Sequence, residues 1–231
     1  MKIGLLSDAH GNPSGLKNCL SFLERQNVEQ IFFLGDAIGY LPRWAAVLEL
    51  LQTANVFCLR GNHDARLFNG GALNDLSDAY QILPEYVQSI LTYQPWIETW
   101  PSWHSFSVGG KKLLFVHGSP FNHMEGYVYP WSSKKDFSTI DADVIFMGHT
   151  HRPFIELFEE KILVNVGSCG LPRDHGALSS CAVYDTVDAV CEIFRVPFDI
   201  DEVIAASPNI HHSVELCLRR TSDDFVGKLI P

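Results

Sequence analysis

MKIGLLSDAHGNPSGLKNCLSFLERQNVEQIFFLGDAIGYLPRWAAVLELLQTANVFCLRGNHD, residues 1–64, decides the fold. Lys2–Ser7 reads as a buried strand. After Asn12–Pro13, Leu16, Leu20 and Leu23 recur at helical spacing. Ile31–Leu34 is a second apolar run, closed by Gly35–Asp36. Trp44, Val47, Leu48 and Leu51 mark a second helix, and Val56–Leu59 a third strand, closed by Gly61–Asn62. Strand-helix-strand-helix-strand order predicts a parallel sheet.

Further along, Phe106–Val108, Gly109–Gly110 and Lys112–Val116 read as a hairpin with a glycine turn. Strands are expected at Val144–Met147, Ile155–Phe158, Ile162–Val166, Ser180–Tyr184 and Val190–Val196. Their spacing predicts a mostly antiparallel run. Residues Asp199 to Arg220 read as helical with a break near Pro208, and the tail after Thr221 carries no pattern. The stretch from Ala65 to about Trp103 is aromatic-rich and predicts a helical insertion that packs on the core; a dimer surface or a lid is the other reading. The whole, residues 1–231, is read as one domain bearing that insertion.

The chain has 231 residues, with 46% apolar and 19% charged, which excludes a disordered polymer. Its formal charge of −10 leaves no basic stripe for a non-specific nucleic-acid coat. Six cysteines without a C-x-x-C pair read as buried, reduced thiols. The opening MKIGLLSD is too short and too early in its acid for a signal peptide, and no stretch is apolar enough to span a membrane. A cytoplasmic protein is therefore expected.

Polar clusters close the apolar runs: Asp8-Ala9-His10, Gly35-Asp36, Gly61-Asn62-His63-Asp64, His117-Gly118 and Gly148-His149-Thr150-His151. Ligands bind where parallel strands end. Imidazole and carboxylate together suit Mn, Fe, Zn or Ni. The i, i+2 spacing of Asp8/His10 and His149/His151 would put both side chains on one side of an extended segment. Two divalent ions against Asp8 and Asp36 would leave a net positive site, an anion trap in an acidic protein.

The order D-x-H, G-D, G-N-H-D, H-G, G-H-T-H resembles the calcineurin-like metallophosphoesterase superfamily, and within it the small bacterial and archaeal phosphodiesterase-type members. The resemblance runs from Asp8 to Asn165-Val166-Gly167-Ser168 and Leu171-Pro172-Arg173. It implies a four-layer α-β-β-α sandwich of two mixed sheets flanked by helices. It implies two divalent metals, manganese first: Asp8, His10 and His151 on one, Asn62, His117 and His149 on the other, Asp36 bridging. A bridging hydroxide would be the nucleophile, His63 the general acid, and Asp64 the group that orients His63 and raises its pKa. Arg173 would pair with substrate phosphate, and His123 and His175 are further candidates near the rim.

The expected activity is phosphodiester hydrolysis on a small phosphate ester, nucleotide-like esters among the candidates. The alternatives are a phosphomonoesterase or phosphoprotein phosphatase, and a non-catalytic scaffold like the retromer subunit of the same superfamily. A homo-oligomer is left open.

Overall fold

The computed structural model describes residues 1–68 and 72–230. Asn69, Gly70 and Gly71, inside the predicted insertion, lie outside the described residues. Two sheets stack face to face. The first sheet contains β1 (Lys2–Leu6), β2 (Gln30–Phe33) and β3 (Phe57–Cys58), mutually parallel as predicted. The second is built from β4 (Trp103–Val108), β5 (Lys111–Val116), β6 (Val144–Met147), β7 (Phe154–Phe158) and β8 (Lys161–Asn165), in the order β4-β5-β6-β8-β7. β9 (Leu178–Asp185) and β10 (Val190–Pro197) return to the first sheet, where β9 lies antiparallel to β1. A short β11 (Lys228–Leu229) extends β10 in parallel, in the tail that carried no sequence signal.

The second half is mostly antiparallel, as expected, but contains one parallel block. β4–β5, β7–β8 and β9–β10 are hairpins, but β5, β6 and β8 run parallel. Alternation and turn residues reveal hairpins; they do not show how strands from different hairpins pair. The consequence is functional. The carboxyl ends of β5 and β6 meet the same rim as those of β1, β2 and β3.

Between the sheets, Ile3, Leu5, Phe32 and Leu34 face Leu113, Phe115, Phe146 and Val164. These alternate side chains face inward because successive residues of a strand point to opposite faces. The outer face of the first sheet is covered by α1 (Pro13–Arg25) and α2 (Trp44–Thr53), whose apolar stripes bury Leu16, Leu23, Trp44 and Leu48. α1 starts cleanly. Asn12 accepts from the Gly15 amide at 3.1 Å, and Pro13 follows, where a missing N–H costs nothing. The outer face of the second sheet is covered by an irregular segment that includes one 3-10 turn, Lys135–Thr139, through Val128 and Phe137.

The aromatic-rich stretch folds as α3 (Ala72–Ala79), α4 (Pro84–Ser89) and α5 (Gln94–Glu98), joined by short turns. Ile82, Ile90, Ile97 and Trp100 are buried with the α1/α2 layer, so the stretch is chiefly core packing. Trp103, read with it, instead opens β4. α6 (Ile200–Ala205) and α7 (His212–Leu218) pack Val203, Val214 and Leu218 against Leu41 and Leu171 beside the rim.

Candidate metal centre

Asp8 follows β1, Asp36 follows β2, Asn62 and His63 follow β3, His117 follows β5, and His149 and His151 follow β6. Parallel register brings these five strand ends together. All are buried except Asn62, which is half-buried. Three donor sets form among the described residues: Asp8/His10/His151, His10/Asp36/His63 and Asp36/His117/His149, with the donor atoms of each within 4.8 Å of one another.

Backbone carbonyls set the ring orientations. His10 Nδ1 lies 2.9 Å from the Ile38 carbonyl, His117 Nδ1 3.0 Å from Leu34, and His151 Nδ1 2.7 Å from Leu171. A carbonyl only accepts, so each Nδ1 carries the hydrogen and the Nε2 lone pair faces inward. His10 Nε2 and His151 Nε2 then confront each other at 3.0 Å, with Asp8 Oδ1 3.3 Å from His151 and 3.6 Å from His10. Asp8 Oδ1 is buried and has no hydrogen-bond partner. Lone pairs and an orphaned carboxylate oxygen converging without a donor are unfavourable unless a cation or protons sit among them. The second group is similar. His117 Nε2 lies 3.1 Å from His149 Nδ1, 3.2 Å from Asn62 Oδ1 and 3.3 Å from Asp36 Oδ2. Asp36 Oδ2 is also 3.6 Å from His10 Nε2, so one oxygen faces both groups.

The electrostatics fit a cation cage. Burial by itself would raise both carboxyls, but the facing histidines reverse this. His151 and His117 hold Asp8, and His117 and His63 hold Asp36, well below the usual carboxylate range. Burial opposes a charge on His117, yet Asp36 and Asp8 raise its pKa to about 9. Burial, with His117 nearby, lowers His149 to about 4, and burial lowers His151 to about 4. At neutral pH the centre thus holds ionised Asp8 and Asp36 and neutral His149 and His151, the forms that ligate metal, while His117 keeps a proton that a bound cation would displace.

The i, i+2 pairs do not work through extended backbone. Asp8, His10, Asp36, His149 and His151 all have positive φ, between 46° and 66°. The chain curls left-handed at each of these positions, so the pairs converge by turning. Tight approach is needed elsewhere too: a Cβ on Gly148 would meet Ser7 Oγ at 2.2 Å and Asp8 Oδ2 at 2.8 Å.

Asp64 does not orient His63. Its carboxylate accepts the backbone amides of Asp36 (2.7 Å), Ala37 (2.9 Å), Gly61 (3.0 Å) and Ile38 (3.3 Å). His63 and Asp64 are neighbours entering a tight turn, so their side chains diverge; Asp64 ties the loop after β3 to the loop after β2. Burial and the Asp36 carboxylate push its pKa up to about 6, against the pull of those amides. Burial lowers His63 to about 3, although Asp36 raises it. His63 Nε2 stands 4.0 Å from Asp36 Oδ2, and its Nδ1 has no partner.

Two other expected candidates point elsewhere. The His123 ring lies 5.9 Å from Trp103, while its carbonyl accepts from the Gly118 amide. His175 faces Phe225 in the tail, at 6.0 Å. Both lie on loops near the rim, and the direction of a loop side chain is not written in its spacing. Arg173 does approach: its guanidinium donates to the Tyr40 hydroxyl at 3.3 Å, and its amide donates to the His151 carbonyl.

Sequence reasoning missed several supports. Tyr40 packs its ring 4.5 Å from His10 and 5.0 Å from His63. Tyr127, exposed, lies 4.1 Å from the His149 ring. Ser168 donates to the Asp8 carbonyl at 2.6 Å and accepts from the Gly170 and Leu171 amides; Asn165 donates to the Gly148 carbonyl at 2.6 Å. The Asn165–Ser168 stretch was legible as a motif, though not as a brace. Asp174 was not singled out. It pairs through both oxygens with Arg195, which is fully buried and also donates to the Leu178 carbonyl at 2.7 Å.

Comparison with known proteins agrees with this geometry. The calcineurin-like phosphoesterase superfamily domain matches residues 1–189. A probable metallophosphoesterase of Methanothermobacter thermautotrophicus is 28% identical over 75% of this chain and 80% of its own. A phosphodiesterase of Methanocaldococcus jannaschii is 23% identical over 73% of this chain and 84% of its own. The crystal structure of a metallophosphoesterase from Sphaerobacter thermophilus superposes with a TM-score of 0.71 at 26% identity, covering 94% of this chain and 98% of that one. Fold, rim and profile agree: the chain belongs to the calcineurin-like phosphoesterase superfamily.

Proposed function

We propose that this chain is a dinuclear metal-dependent phosphodiesterase. The observation that carries the reading is the shared Asp36 Oδ2, 3.3 Å from His117 Nε2 on one side and 3.6 Å from His10 Nε2 on the other. Asp8, His10 and His151 would hold one cation, Asn62, His117 and His149 the other, with Asp36 common to both. Bound there, two divalent cations supply Lewis-acid charge and an activated water to a phosphoryl group. Manganese, iron, zinc and nickel all accept these donors, and manganese is our first choice.

The chain's own residues do the rest. Asp8 and Asp36 stay ionised at neutral pH and keep the cage negative enough to retain cations. The backbone carbonyls of Ile38, Leu34 and Leu171 fix three imidazoles so that no reorganisation is needed on binding. His63 stands beside the shared oxygen with a partnerless Nδ1. It is neutral in the free protein. It takes up a proton when an anionic phosphate arrives beside it, and passes that proton to the leaving oxygen.

A diester carries one negative charge and a monoester two. Among the arginines near the motif loops, Arg60 is spent on the Trp100 carbonyl at 3.1 Å and is not free to neutralise a second charge. The name of the M. jannaschii relative points the same way.

The test is metal content per chain, measured with turnover of bis(nitrophenyl) phosphate and nitrophenyl phosphate across added Mn, Fe, Zn and Ni. Two ions per chain and faster diester turnover are expected. Fewer than one ion per chain with no turnover supports a scaffold; faster monoester turnover supports a phosphatase.

A further inference from the structure

Beside the cage lies a second cavity, of about 240 Å³, lined by Tyr40, Tyr80, Arg173, Ser213, Cys217 and Arg220 among others. Tyr40 is the wall between the two. One side of its ring meets His10 at 4.5 Å; Tyr80 meets it edge-on at 4.6 Å. Arg173 reaches the Tyr40 hydroxyl at 3.3 Å, and Arg220 donates to the Arg173 carbonyl at 2.7 Å. The cavity is therefore separated from the cage by the single ring of Tyr40.

Its charge is unusual for a chain of net charge −10. The guanidiniums of Arg220, Arg173 and Arg152 all act on the Cys217 thiol, partly offsetting the upward push of burial. The acid nearby is Asp174, and both of its oxygens are engaged by Arg195. Among the described residues no carboxylate pairs with Arg152, Arg173 or Arg220, whereas the adjacent Arg219 is paired with Glu215 and Asp201. Guanidiniums gathered at a cavity without acidic partners favour an anion, and their planar forks suit a phosphoryl group. Tyr40 and Tyr80 leave ring surface for whatever links that group to the reacting one.

We infer that the Arg173/Arg220 cavity is a second phosphate subsite, so that the substrate is a phosphoester bearing another phosphoryl group a short linker away from the one at the cage. This rests on the reading of the cage as the place where the first phosphate sits. Arg173 serves both ends of the linker region, and Arg220 belongs to the far end alone.

The test is equilibrium binding by calorimetry to the manganese-loaded protein. The probes are thymidine 3′,5′-bisphosphate and thymidine 5′-phosphate. The bisphosphate is expected to bind about tenfold more tightly, the effect of one charge-assisted contact. Arg220→Met should reduce that ratio towards one, and Arg219→Met should leave it unchanged. Propane-1,3-diyl bisphosphate, which lacks base and sugar, separates the sources: a retained preference over its monophosphate assigns the subsite to charge alone, and a lost one assigns it to nucleotides. Equal affinities for the two thymidine probes in the parent protein overturn the inference, as does a ratio that survives Arg220→Met. Turnover of the 5′-nitrophenyl esters of both thymidine probes is read separately. Tighter bisphosphate binding with no hydrolysis of either ester keeps the subsite and removes the phosphodiesterase reading.

Discussion

Replacing Asp64 separates a structural knot from a catalytic partner. Its side chain is completely buried and accepts four backbone amides, from Asp36, Ala37, Ile38 and Gly61. Asp64→Ala leaves those donors without an acceptor. Each buried donor so abandoned costs about 1–3 kcal/mol, and water entering the space recovers part of it, so a loss of about 3–5 kcal/mol is expected. Asp64→Asn keeps one oxygen, which still serves the Ala37 and Ile38 amides. Its NH2 then faces the Asp36 and Gly61 amides, donor against donor, so about half the loss remains.

The assay is urea unfolding at pH 7, followed by metal content and rates with two diesters, one with a nitrophenolate and one with an alkoxide leaving group. Both rates should fall together, because the Asp36 loop loosens and metal is lost. A stability change under about 0.5 kcal/mol would refute the knot, being no more than an ordinary surface substitution produces. A rate loss confined to the alkoxide ester would restore Asp64 as the partner of His63.

Asp36→Asn keeps an oxygen for the His63 amide, now 2.9 Å from Oδ1, so folding should persist while bound metal drops below two per chain and the diester rate falls more than about a hundredfold. His63→Ala should leave metal content intact and slow alkoxide esters by about 100-fold or more, with little effect on nitrophenyl esters. The metal-free protein should be most stable near pH 7, by urea unfolding in EDTA. Below that, His63, His149 and His151, with folded pKa values of about 3, 4 and 4, accept protons only when unfolded, while Asp64, raised to about 6, holds one proton when folded. The unfolded chain then binds about two more protons near pH 5, and stability falls by up to about 3 kcal/mol per pH unit as pH drops. Above about pH 7 the sign reverses. His117, raised to about 9, keeps its proton only when folded, so its contribution fades as pH rises through 9. Stability still rising between pH 7 and 9 would contradict this ordering.

The parallel β1, β2 and β3 of the first sheet and nearly every strand were legible because alternation and strand-ending glycines act locally. Val144–Met147 was read to the residue. The parallel pairing of β5, β6 and β8 was not, since register between distant strands depends on contacts that no single segment records. The same boundary divides the site. The residue types of the cage, Asp8 through His151, stood at strand ends where chemistry could be anticipated. What Asp64 does was hidden, because its partners are backbone amides from 26 to 28 residues away, besides Gly61, and an amide leaves no trace in composition. Tyr40 and Arg220 were invisible for a related reason: a cavity is formed by separate elements, here the loop after β2, the loop after β8 and the end of α7.

The left-handed turns at Asp8, His10, Asp36, His149 and His151 bear on whether the rim is in use. Glycine would occupy any of these positions at less backbone cost, by roughly 1 kcal/mol each. A bare scaffold gains nothing from declining that economy, and ordinary drift would hand such positions to glycine or asparagine. Five such places filled by aspartate and histidine, which bring the oxygen and nitrogen donors that glycine lacks, are what the proposed cation cage would require, at some expense of thermal resilience along the rim.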